Sequence, residues 1–105
     1  VAKVTHVAVT NGPGNNGQGV VLVANSSSMS TKSYLVQNMD PTNSFEGLGL
    51  NDDGTRQTLG NGYTWLAGAE KGIDLAPGET LYAASAVGVT VQAQVLEIAS
   101  VDVGG

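Results

Sequence analysis

His6 is the only histidine in the chain, and there is no cysteine. A Ser-His-Asp arrangement would have to use His6, yet it lies inside the alternating run Val4 to Val9, and no G-x-S-x-G turn is present to raise a nucleophile. An ordinary strand histidine accounts for it. A Ser-x-x-Lys pair ending at Lys32 fails, because the residue three before it is Met29. Two carboxylates for glycoside hydrolysis can be drawn from nine acidic residues. A chain of 105 residues, however, has little room for a substrate cleft beside its own core. The sequence reads as a non-enzyme, with no catalytic residue and no cofactor assigned.

The run Asn51-Asp-Asp-Gly54 has the look of a calcium loop. An EF-hand needs a bidentate Glu at its twelfth position, and counting from Asn51 places Gly62 there. The simpler reading is an Asp-Gly turn, so no metal site is assigned. Tyr63 and Trp65 are one residue apart, which puts them on one face of an extended segment. An exposed pair of this kind suits a sugar platform or a protein anchor. The other reading has Trp65, the only tryptophan, plugging one end of a core otherwise built from Val, Leu and Ala.

Composition narrows the partners. The net charge is −5, and the four basic residues Lys3, Lys32, Arg56 and Lys71 are spread along the chain. Binding nucleic acid takes several cations on one face, so that class is excluded. No apolar run approaches a membrane span. The opening Val1-Ala-Lys-Val runs straight into a strand pattern, with no sign of a signal peptide. Charged residues make up 12% of the chain, against about 25% in ordinary soluble domains. Thr, Ser, Asn, Gln and Gly must therefore cover the surface.

The elements that position these residues are strands. The chain turns on the stretch Leu75 to Glu97, where Pro77-Gly78 marks a turn, Thr80 onward alternates, and Val87-Gly88 can reverse the chain into a longer strand. This predicts a hairpin. In its second arm Val89, Val91, Ala93 and Val95 share one face, and Thr90, Gln92 and Gln94 the other. Leu96 and Ile98 then occupy the face that should stay polar. Either the fold covers that face, or it is a subunit interface.

Upstream, Val4 to Val9, Val20 to Ala24, Tyr34 to Asn38, Asn43 to Leu48 and Gly72 to Leu75 read as strands. Gly62 to Ala67 reads as extended. Asn11 to Gly19, with Asn15 and Asn16 at its centre, is a Gly-rich protruding loop. Ordering such a loop costs about 1–2 kcal/mol of backbone entropy per residue, so a partner would order it best. Asn25 to Thr31 is a Ser-rich connection and Gly49 to Asn61 a long loop. No window has helical periodicity. The prediction is a single all-β domain over residues 1–105, an antiparallel β-sandwich or jelly-roll-like barrel of seven or eight short strands. Residues 1–33 form N-terminal strands and the Gly-rich loop, 34–98 the core, and 99–105 a tail.

Val36-Gln-Asn38, Thr42-Asn43-Ser44-Phe45, Leu75-Ala-Pro-Gly-Glu79, Leu81-Tyr-Ala83 and Val95-Leu-Glu97 together carry a resemblance. The chain from Tyr34 to Ile98 resembles a small β-sandwich domain of tailed-phage virion proteins, a group that includes head decoration (cement) proteins and modules of tail and fibre proteins. The motifs are turns and core positions, not chemistry. This chain departs from the pattern in its Asn51 to Leu66 excursion and its Asn11 to Gly19 loop.

The resemblance implies a capsid decoration protein on the virion surface, a homotrimer that binds the major capsid protein at subunit junctions and stabilises the head by adhesion. The alternatives are a host glycan-binding module on a tail or fibre, and a minor tail or connector component. The candidate interface residues are Tyr63, Trp65, Leu96, Ile98, Asn15 and Asn16, with Val1 to Val9 turned toward the capsid or neighbouring copies.

Overall fold

Eight strands form two four-stranded antiparallel sheets. The computed structural model describes residues 3–102, and for residues 99–102 the backbone alone. The strands are β1 (Lys3–Val9), β2 (Val20–Ala24), β3 (Ser30–Asn38), β4 (Phe45–Leu48), β5 (Tyr63–Trp65), β6 (Glu70–Leu75), β7 (Thr80–Ala84) and β8 (Val91–Asp102). One sheet, here sheet A, has the order β1-β8-β3-β6, and sheet B has the order β2-β7-β4-β5. The chain changes sheet at every connection except β4 to β5. This is the connectivity of an eight-stranded jelly roll. Among the described residues no ladder joins the two sheets, so the fold is a sandwich and not a closed barrel.

The core lies between the sheets. From sheet A come Val9, Tyr34, Val36, Leu75, Val91, Ala93 and Val95; from sheet B come Leu22, Val23, Phe45, Trp65 and Ala83. Alternation in β1, β3 and β8 decides which side chains enter it, as strand periodicity requires.

The expected hairpin is corrected. β7 pairs with β2 and β4, while β8 pairs with β1 and β3, so the Val87-Gly88 turn carries the chain from one sheet to the other. Period-two alternation reports which face is buried, not which strand is the neighbour. Ser85 marks the crossing: it is buried, and its hydroxyl, a single donor, lies within hydrogen-bonding reach of the carbonyls of Val9 and Val89.

Other corners are held the same way. Asn25 donates through Nδ2 to the carbonyls of Leu75 and Ser30 at 3.0 and 2.8 Å. Asn38 donates to those of Asn43 and Trp65, and its Oδ1 accepts the Asp40 N–H at 2.8 Å. A buried amide must find partners for both donor and acceptor, and here the donors reach carbonyls at strand ends and in a loop while the Asn38 oxygen takes a loop N–H.

The expected tail is also corrected. Residues up to Asp102 belong to β8, which runs alongside β3 as far as Ser30. Residues 103–105, and Val1 of the face expected to meet the capsid, lie outside the described residues.

Candidate interaction surface

The molecule measures 44 × 32 × 20 Å and so has two broad faces. They differ in what covers them.

The outer face of sheet B is capped by the chain itself. Leu48 and Ala84 point away from the core, yet both are 0% exposed. The excursion of residues 49–62 folds over them. Its tip is a turn in which Asn51 N–H donates to the Thr55 carbonyl at 2.7 Å, and Leu50 bridges to Arg56. The Asp53 carboxylate accepts the Thr55 hydroxyl at 2.6 Å and the Thr55 N–H at 3.0 Å, which holds its pKa below the usual carboxylate range. Asn51 to Gly54 is thus a turn with its carboxylate engaged locally. Glu46 of β4 ties down the far end, where its Oε1 accepts the N–H groups of Gly60 and Gly62 at 2.8 and 3.0 Å.

The Gly-rich loop lies against this excursion. Sequence reasoning has it waiting for a partner, but its hydrogen bonds are met within the chain. Asn11 accepts the Gly19 N–H on its carbonyl and the Gly17 N–H on Oδ1, both at 2.8 Å, and donates from Nδ2 to Ser85. Leu59 N–H donates to the Gly17 carbonyl at 2.8 Å. Gly19 has φ +70°, and a Cβ there would collide with the Ala83 carbonyl, so the loop is pressed directly onto β7. Asn15 (φ 54°) and Asn16 are exposed at its tip, where Asn16 Oδ1 accepts the Gln18 N–H at 2.9 Å.

The aromatic pair divides. Trp65 is 2% exposed, stacks on Phe45 with centroids 5.4 Å apart, and donates from Nε1 to the Val36 carbonyl of the opposite sheet at 3.2 Å. Gly47 makes room for it, since a Cβ there would lie 2.5 Å from the ring. Trp65 is therefore a core residue. Tyr63 is 55% exposed, meets Trp65 edge-on at 5.3 Å, and carries the Lys71 ammonium 4.7 Å over its ring.

The outer face of sheet A is open. Its residues are Val4, His6 and Ala8 of β1, Gln92, Gln94 and Leu96 of β8, Ser33, Leu35 and Gln37 of β3, and Glu70, Gly72 and Asp74 of β6. Among the described residues of this face, carboxylates occur only on β6. One cross-strand row, Val4, Leu96 and Leu35, is wholly apolar.

Two residues beyond Leu96, β8 carries a bulge. Ser33 pairs with Ala99 but Tyr34 with Glu97, so Ile98 is the extra residue and is 52% exposed. Leu96 is partly buried between its neighbours. Leu96 thus comes together with Val4 and Leu35, with Ile98 two residues further along β8, while Asn15 and Asn16 sit on the opposite, capped side and Tyr63 on the β5 edge. Leu35 is the member that sequence reasoning missed. It stands between the buried residues Tyr34 and Val36, and only the β8 register reveals it beside Leu96.

Clefts among the described residues flank these faces. One, of about 310 Å³, opens between β1 and β2 and is lined by Lys3, Thr5, Val7, Val23, Tyr34 and Glu97. Glu97 of its lining pairs with Lys32 at 3.4 Å, and burial pushes the Tyr34 hydroxyl above its ordinary pKa. The other, of about 510 Å³, is lined by Leu50, Arg56, Leu75, Glu79, Thr80 and Tyr82. Against known proteins, no family model, no curated protein and no solved structure matches this chain.

Proposed function

We propose that this chain is a structural protein of a tailed-phage virion, a capsid decoration protein that sits on the head surface, binds the major capsid protein at subunit junctions and associates with copies of itself. The observation that carries this reading is the open face of sheet A. Among its described residues three of the four strands present no carboxylate, and it is crossed by the apolar row Val4, Leu96 and Leu35, with the exposed Ile98 two residues further along β8. Exposed contiguous apolar surface of this kind suits protein docking, and a surface poor in charge sets up little repulsion between copies. Repetition over many sites on one particle turns weak contacts into firm attachment. The jelly-roll connectivity is shared by viral capsid proteins and lectins alike, and lends support by analogy alone.

A second reading, a host glycan-binding module on a tail or fibre, is favoured by the cleft of about 510 Å³, whose lining includes Arg56, Glu79, Thr80 and Tyr82. Copy number separates the two. Decoration requires many copies per particle on a gel of purified virions, and requires the protein to bind undecorated shells. A few copies per particle, or binding to host polysaccharide without binding to shells, overturns decoration and favours a tail, fibre or connector role.

A further inference from the structure

A sandwich has four free strand edges, and here three are blunted. β6 carries Glu70, Lys71, Gly72 and Asp74 within six residues. β5 is three residues long. β2 has five residues and is broken by a register shift at Leu22. Short strands, charges and bulges are the usual devices that keep an edge from pairing with another chain. β1 has none of them beyond the Lys at its start. It pairs with β8 over seven residues without a shift and contains no Gly or Pro.

The direction of its free amides follows from the ladder. The Gln92 carbonyl accepts the Met39 N–H at 2.9 Å, on the β3 side of β8. Alternate residues of a strand point their backbone groups the same way. Gln92, Gln94 and Leu96 therefore bond toward β3, and Val91, Ala93 and Val95 toward β1. Their partners Val9, Val7 and Thr5 turn their amides to β8. The N–H and C=O groups of Val4, His6 and Ala8 face outward along the open edge.

We infer that β1 is a strand-addition edge whose occupant is β1 of a second copy, laid antiparallel across a two-fold axis through His6. In that register His6 faces the partner's His6, and Val4 faces the partner's Ala8, so all three outward residues find hydrogen-bonding partners at once. Lys3 falls opposite the partner's Val9, which sets the two ammonium groups at opposite ends of the seam. A chain of net charge −5 thus meets itself along an edge strand that carries no carboxylate. The seam is about 24 Å long, less than a standard interface supplies. Pairing is therefore weak in solution and strengthened where copies crowd on one surface. The inference rests on the decoration reading only for that crowding. It favours a two-fold contact over the three-fold that the family resemblance implies.

The chain has no cysteine, which makes a register test clean. Facing residues of a hydrogen-bonded pair have Cα atoms about 5.5 Å apart, within disulfide reach. Under mild oxidation His6→Cys is expected to accumulate a disulfide dimer. Val4→Cys alone is expected to stay at background, and Val4→Cys mixed with Ala8→Cys to cross-link. His6→Pro removes an N–H that serves no ladder within the chain, so it is expected to melt close to wild type while losing the dimer mass seen in concentrated wild-type protein. Equal cross-linking by His6→Cys and Val4→Cys, or a dimer that survives His6→Pro, overturns the edge pairing. A trimer without His6→Cys cross-links overturns it too, yet leaves decoration standing if that trimer binds shells. A chain that cross-links as expected but never binds shells keeps the edge and loses the decoration role.

Discussion

The guanidinium of Arg56 lies 3.5 Å over the centroid of the Tyr82 ring, and its Nη2 donates to the carbonyl of Gln18. One side chain thus joins three parts of the molecule: the 49–62 excursion, the Gly-rich loop and strand β7. A planar cation is needed, because it must stack and donate at once. Arg56→Lys is expected to cost about 1–2 kcal/mol through loss of the stack and the bond. It is also expected to speed amide exchange in both loops while leaving β1, β3 and β8 protected. Unchanged exchange in the Asn11 to Gly19 loop would show that the two insertions are not coupled through this residue.

Trp65 reports on the core. Stacked on Phe45 and bonded to the Val36 carbonyl, it is expected to emit at short wavelength and to resist soluble quenchers in the free protein. Trp65→Ala leaves a large cavity and is expected to cost about 3–5 kcal/mol. Trp65→Phe loses the indole bond and part of the volume, at about 1–2 kcal/mol. Ready quenching in the free protein would rule out the packing described.

Two glycines with similar backbones separate strain from collision. Gly78 has φ +80° with open space where a Cβ would go, so Gly78→Val pays for backbone strain alone, about 1 kcal/mol or more. Gly19 has φ +70°, and its Cβ would run into the Ala83 carbonyl. Gly19→Ala is expected to destabilise more than Gly78→Val although the added side chain is smaller. The reverse order in thermal melts would contradict the placement of the loop on β7.

Asp40 sets an acid limit. Its carboxylate accepts the N–H groups of Thr42 and Asn43 at 2.9 and 2.8 Å, and these bonds hold its pKa below the usual carboxylate range. A depressed folded pKa contributes stability that is complete above the unfolded pKa and lost as pH falls through the folded one. The contribution is therefore expected to fade below about pH 4. Asp40→Asn is expected to flatten that part of the stability curve. An identical acid limb in wild type and variant would remove Asp40 as its cause.

Much of this architecture is legible in the chain. Alternation in Val89 to Val95 marks the buried face, alternation in Val4 to Val9 marks a strand, and Pro77-Gly78 marks a turn, since each is a local property. Strand neighbours are not legible, because pairing depends on contacts far apart in sequence. That is why β7 and β8 read as a hairpin although they lie in different sheets. The loops mislead for a related reason. Glycine content signals the entropy cost of ordering Asn11 to Gly19, but not the hydrogen bonds from Asn11, Leu59 and Arg56 that offset it. Of the candidate site, Leu96 and Ile98 show themselves by breaking a polar alternation, while Leu35 and Val4 join them only through register.

That register sets the last expectation. Leu96 lies between Val4 and Leu35 on the open face, and Ile98 stands at the bulge beside them. If the row served the fold, replacing it would cost as core residues do, about 2–5 kcal/mol for Leu or Ile to Ala. Ile98 keeps half its surface in water, and Leu96 faces away from the core. The pair Leu96→Gln and Ile98→Thr extends the pattern of Gln92 and Gln94 and keeps residues that suit a strand. It is expected to change stability by about 1 kcal/mol or less while abolishing attachment to undecorated shells, read by co-sedimentation. Asn15→Ala with Asn16→Ala, on the capped side, is expected to leave attachment intact. A double variant at Leu96 and Ile98 that folds and still sediments with shells would move the contact off sheet A. Loss of attachment in the asparagine variant would place it on the loops instead.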